Sequence, residues 1–169
     1  MKLPYSTLAL MLDAHNGQTD KSGLVYALHP IRVAYRLLRI GSEYPVRAAL
    51  LHDVIEDTPW TAADLLHMGE PKPVVDIVLW VSRPTERPRA TYLDWIRAIA
   101  SEGPLEARLV KLADIYDNLS PSRMAALSES EQDGMTRRYE RALEVLLPSI
   151  PEHLSRLVPQ GDVHPCLSW

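Results

Sequence analysis

Apolar residues recur three and four positions apart along most of the chain, which is the spacing of helices with one buried face. Leu3, Leu8, Leu10, Met11 and Ala14 predict a first helix. Asn16 to Tyr26 is polar and contains glycines, and reads as a loop. His29-Pro30 opens a second helix, with proline in the first turn, where its missing N–H costs little. Ile31, Val33, Ala34, Leu37 and Leu38 form its buried face, and Gly41 ends it. Pro45 starts a third helix, VRAALLHDVIED, which is apolar almost all round and therefore central; Thr58-Pro59 stops it. Thr61 caps a short helix closed by Gly69, and Val74 to Val81 forms another. After the loop SRPTERPRA come helices from Tyr92 to Ala100, from Pro104 through LEARLVKLADIYDNL, and from Glu129 to Leu147, the last bounded by Pro148 and Pro151. No stretch alternates as a strand does. The pattern predicts an all-α chain with one domain over residues 1–158 and a loose tail over 159–169.

Composition narrows this picture. A chain of 169 residues, 46% hydrophobic and 24% charged, is long enough for one packed core. The balance of 18 basic against 22 acidic residues gives a net charge of −4, which argues against a grip on extended nucleic acid. The single cysteine, Cys166, builds no disulfide framework, so a reducing, cytoplasmic setting is expected. No apolar run reaches the roughly 18 residues of a membrane span. His67, His153 and His164 read as surface residues, and Trp60, Trp80 and Trp95 as core or half-core.

Two places break the hydrophobic pattern with ionisable groups, which are costly inside a core unless paired or metal-bound. In AALLHDVIEDT, His52 and Asp53 interrupt an apolar run, with Glu56 and Asp57 four positions beyond them. In VKLADIYDNL, Asp114 interrupts an apolar face, and Asn118 follows at i+4. With His29 at the head of the second helix, His29, His52, Asp53 and Asp114 make a two-nitrogen, two-oxygen ligand set suited to Mn²⁺, Fe²⁺ or Zn²⁺. Three helices would contribute, as in other bundle cores. Glu56 and Asp57 are left as acids able to take a proton from water.

This order and context resemble the HD-domain metal-dependent phosphohydrolases. The stretches HNGQTDKSGLVYALHP, AALLHDVIEDT and VKLADIYDNL are similar to the hydrolase domain of the RelA/SpoT family and to the small alarmone hydrolases, over roughly residues 11–147. The resemblance implies an HD-domain helical bundle, a divalent cofactor (most often Mn²⁺) on His29, His52, Asp53 and Asp114, and water activation by Glu56 and Asp57. It places Lys21, Tyr26, Asn118 and Tyr139 on the side of a small nucleotide substrate. The implied reaction removes the 3′-pyrophosphate of (p)ppGpp. A phosphohydrolase for another nucleotide, or a nucleotide-binding module without turnover, are the alternatives. The chain departs from the family at Asp20, where a basic residue usually precedes Lys21, and after Asn118, where the next basic residue is Arg123. Arg83, Arg87 and Arg89 are candidates for replacement phosphate contacts.

Overall fold

The structure, a computed structural model, describes residues 4–21, 23–83 and 91–163. Arg87, Arg89, His164 and Cys166 lie outside the described residues. Helices α1 (Tyr5–Ala14), α2 (Leu28–Leu37), α3 (Glu43–Leu51), α4 (Val54–Asp57), α5 (Ala62–His67) and α6 (Lys72–Val81) fill the first half. The second half holds α7 (Tyr92–Glu102), α8 (Leu105–Asn118), α9 (Pro121–Met124), α10 (Glu129–Leu146) and α11 (Glu152–Ser155). Short 3₁₀ turns follow α2 and α10. The fold is all-α, as expected; among the described residues the only β pairing is an isolated bridge between Thr19 and Val25.

Local chemistry sets the helix ends. Thr61 and Asp64 at α5, Thr91 and Asp94 at α7, and Ser128 and Glu131 at α10 form reciprocal capping boxes. Gly41 adopts φ +86° where the turn after α2 reverses, a conformation open to glycine without strain. The interior is built by α2, α3, α6 and α8, with α1 laid on α3 and α7 against α10. Val33, Leu37, Leu50, Leu51, Val78, Leu112 and Ile115 are sealed in its centre.

The third predicted helix is not continuous. It divides into α3 and α4 at His52 and Asp53. His52 Nδ1 donates to the carbonyl of Ala49 at 2.8 Å, taking the acceptor that the Asp53 N–H would use in an unbroken helix. Residues 159–162, expected to be loose, are instead tied to the body. Arg36 donates to the carbonyls of Pro159 and Gly161, Gln160 to the Tyr116 hydroxyl, and Ser122 to Asp162.

Candidate metal centre and cleft

His29 is the second residue of α2, His52 and Asp53 occupy the break between α3 and α4, and Asp114 lies in α8. Packing of α2 against α3 and α8 brings all four to one point. His29 Nε2 lies 3.5 Å from Asp53 Oδ2 and 3.3 Å from Asp114 Oδ1. His52 Nε2 lies 3.0 and 3.7 Å from the same two atoms. The ligand atoms of His29, His52 and Asp53 all fall within 4.8 Å of one another. Both imidazoles are held with Nδ1 as the donor. His52 Nδ1 faces the Ala49 carbonyl, and His29 Nδ1 faces the Asp117 carboxylate at 2.8 Å. In the neutral rings, bare Nε2 lone pairs therefore face carboxylate oxygens.

This donor set fits a divalent cation. Bonds of about 2.1 Å at tetrahedral or octahedral angles place neighbouring ligand atoms about 3.0 to 3.4 Å apart, close to the separations seen here. His52 Nε2 is also buried without a hydrogen-bond partner. Two imidazoles and two carboxylates suit Mn²⁺, Fe²⁺ or Zn²⁺. Electrostatics agree. Burial opposes charge on His52, but Asp53 and Asp114 overcome it and lift its pKa to about 10. Asp53 and Asp114 pay the same burial cost, yet are held well below the usual carboxylate range, Asp53 chiefly by His52 and Asp114 chiefly by Lys111. The site is a concentration of negative charge that draws in protons or a cation.

The remaining contacts were only partly visible in the sequence. Tyr26, assigned there to the substrate side, donates its hydroxyl to Asp53 Oδ2 at 2.5 Å and stands 3.2 Å from Asp57 Oδ2. Its ring lies 4.8 Å from that of His15, which is buried and paired with Gln18. Asn118 donates to Asp114 Oδ1 at 2.6 Å, so it orients the carboxylate as well as facing the cleft. Lys111 is 7% exposed. Its Nζ donates to Asp114 Oδ2 at 2.7 Å and lies 4.4 Å from the centroid of the Trp95 ring. Both oxygens of Asp114 therefore have a protein partner, and Oδ1 is the one turned toward the imidazoles.

Asp117 and its clamp escaped sequence reasoning. The carboxylate is fully buried and accepts from His29, from Arg32 Nε at 3.0 Å and from Arg36 Nη2 at 3.2 Å. Burial raises its pKa, but these partners win and hold it at about 2. The spacing of His29, Arg32 and Arg36 at i, i+3 and i+7 on one face of α2 was the available signal.

Two connected parts of one cleft open beside the ligand cluster. The part over the cluster, about 190 Å³, is bordered by His29, Asp53, Asp114, Glu56, Lys111 and Arg83. The outer part, about 370 Å³, is bordered by Asp20, Lys21, Leu127 and Met135. Tyr26, Asn118, Arg123, Arg138 and Tyr139 line both parts. All four expected substrate-side residues thus face the cleft. So do Arg123 and Arg138, the latter with its guanidinium 3.9 Å over the Tyr92 ring. Trp95, expected to be core, is buried and also faces the inner part. Asp20 borders the outer part while its Oδ1 accepts the Leu24 N–H at 3.0 Å in a tight turn.

The two acids differ. Glu56 borders the inner cleft, and its Oε2 accepts the Arg83 N–H at 3.0 Å. Asp57 turns toward Tyr26. Burial pushes both carboxyls above their ordinary pKa.

Residues 26–119 match the family described as the HD domain. The chain is 34% identical over 145 residues to the bifunctional (p)ppGpp synthase/hydrolase SpoT of Escherichia coli (strain K12), covering 80% of this chain and 20% of that protein. It is 34% identical over 143 residues to the guanosine-3′,5′-bis(diphosphate) 3′-pyrophosphohydrolase of Haemophilus influenzae, with the same coverage. The chain thus spans about a fifth of the length of these curated relatives. A solved structure described as a metazoan ortholog of SpoT that hydrolyzes ppGpp superposes with a TM-score of 0.77 over 94% of both chains, at 23% identity. No helix among the described residues is long and apolar enough to cross a membrane.

Proposed function

The chain belongs to the HD-domain family, and on that premise we propose that it is a metal-dependent phosphohydrolase that removes the 3′-pyrophosphate from guanosine-3′,5′-bis(diphosphate) or a close relative. The carrying observation is the convergence of His29, His52, Asp53 and Asp114, of which His29, Asp53 and Asp114 border a cleft also lined by Lys111, Arg123 and Arg138. The naming of relatives as 3′-pyrophosphohydrolases supports the choice of substrate.

In this reading His29, His52, Asp53 and Asp114 hold a divalent ion, with Mn²⁺ first among the candidates. When bound, such an ion supplies Lewis acidity toward a phosphoryl oxygen and lowers the pKa of water. Glu56 sits at the inner cleft with its pKa raised by burial, and takes the proton of the attacking water. The water oxygen bonds to the phosphorus carried by the ribose 3′-oxygen, and the bond between that phosphorus and the 3′-oxygen breaks. The 3′-oxygen takes up the proton that Glu56 received, leaving a 5′-diphosphate with a free 3′-hydroxyl, and pyrophosphate. Asp57 holds the Tyr26 hydroxyl, which in turn steadies Asp53. Lys111, Arg123 and Arg138 offset the charge of the pyrophosphate, while Lys21 and Tyr139 border the space for the nucleoside.

Asp20 favours a second reading, a nucleotide with fewer phosphates near the outer cleft, because its carboxylate stands where a basic residue would attract charge. Incubation with Mn²⁺ and a nucleotide panel including ppGpp, followed by chromatography, decides between them. Pyrophosphate and GDP from ppGpp support the first reading. Phosphate or nucleoside release from other nucleotides alone supports the second, and binding without turnover removes both.

A further inference from the structure

Residues 159–162 cross the outside of α2 and α8 as a strap. The strap's carbonyl groups meet a buried guanidinium that is also paired with Asp117. Arg36 is fully buried, and its Nη1 donates to Pro159 O at 2.6 Å, while its Nη2 donates to Gly161 O at 2.7 Å and to Asp117 Oδ1 at 3.2 Å. Asp117 passes the connection to His29 Nδ1 at 2.8 Å. On the other side, Ser122 donates to Asp162 Oδ1 through both its N–H and its hydroxyl, and Gln160 donates to Tyr116, the neighbour of Asp117. A buried guanidinium needs acceptors in a fixed plane. The strap supplies two of them, and so fixes the plane from which a second Nη2 N–H reaches Asp117.

We infer that this C-terminal strap, acting through Arg36 and Asp117, is a positioning element for the His29 imidazole. It keeps Nδ1 against the Asp117 carboxylate and Nε2 turned toward Asp53 and Asp114. Outer-shell partners of a ligating histidine commonly set metal affinity by 10- to 100-fold. Here that outer shell reaches a segment 130 residues later in sequence than the ligand: Pro159 against His29. The inference rests on the proposed metal reading. It adds that the strap contributes to the site without touching substrate.

Two variants test it in the full chain, read by free-Mn²⁺ electron paramagnetic resonance. Arg36→Met removes the link from the core side. Gly161→Val perturbs it from outside, because Gly161 has φ +72° with open space around its Cβ position, so valine strains the strap without entering the core. Both should weaken Mn²⁺ binding about tenfold at a temperature where circular dichroism shows full folding, and lower kcat with KM nearly unchanged. Should Arg36→Met fail to fold, Gly161→Val alone carries the test. Wild-type Mn²⁺ affinity in a folded variant overturns the strap's role and leaves the metal reading standing. Absence of Mn²⁺ binding by the unaltered protein overturns the metal reading itself.

Discussion

The Nδ1 proton of His29 points at Asp117 Oδ2, 2.8 Å away on another helix. Because Asp117 is held at about pKa 2, it is ionised at any working pH and can only accept. The ring is thereby locked with Nε2 toward Asp53 and Asp114. Asp117→Asn keeps the shape but weakens this lock. Calorimetric titration should show Mn²⁺ affinity reduced by roughly 10- to 100-fold.

Ligand and proton carrier should separate in mutants. Asp53→Ala and His52→Ala should abolish both Mn²⁺ binding and turnover. Glu56→Gln should retain Mn²⁺ and lose roughly 10²- to 10⁴-fold in kcat. Full activity in Asp53→Ala protein would sink the proposed chemistry.

Metal binding should depend on pH in a defined direction. Without a cation, Asp53 and Asp114 lift His52 to about 10, so its ring carries a proton at neutrality. A cation must displace that proton, and affinity therefore rises with pH up to the His52 pKa, by at most about tenfold per unit for each proton released. Titrations of Mn²⁺ in buffers of different ionisation enthalpy, between pH 6 and 8, measure the proton count directly.

Lys111 balances Asp114 inside the protein at 2.7 Å. Lys111→Met leaves that carboxylate with one cationic partner fewer, and should cost roughly 3 kcal/mol of stability in metal-free protein. Saturating Mn²⁺ should recover much of the loss, as urea unfolding with and without the ion would show. KM for a pyrophosphorylated nucleotide should rise in the same variant.

Asp20 can be altered without undoing its turn. Asp20→Asn retains an oxygen that accepts the Leu24 N–H but removes a negative charge from the outer cleft. Removing one like charge near a polyanion is worth about 1 kcal/mol. Steady-state kinetics should show KM lowered several-fold, with kcat unchanged.

The sequence made the proposed ligand cluster legible because His52, Asp53 and Asp114 violate an apolar pattern, and such violations need a partner. The family resemblance placed Lys21, Tyr26, Asn118 and Tyr139 on the substrate side, and all four border the cleft. Arg32, Arg36 and Asp117 stayed hidden because arginine on a helix ordinarily reads as a solvated face. Only the packing of α2 on α8 turns that face inward. Lys111 was ambiguous for a related reason, since a lysine stem can run either way along a helix surface. The break at His52 carried no glycine or proline, because a side chain competing for a carbonyl produces it.

That break has a cost that appears under selection for robustness. The Ala49 carbonyl accepts from the His52 ring where an unbroken helix would have it accept from the Asp53 amide. Replacing His52 by a strong helix former such as alanine would return the carbonyl to the backbone and let α3 run on into α4. A screen for thermal tolerance would therefore tend to enrich such variants, and in doing so discard an imidazole from the His29, His52, Asp53 and Asp114 cluster. In this stretch of chain, durability and chemistry make opposite demands on one side chain.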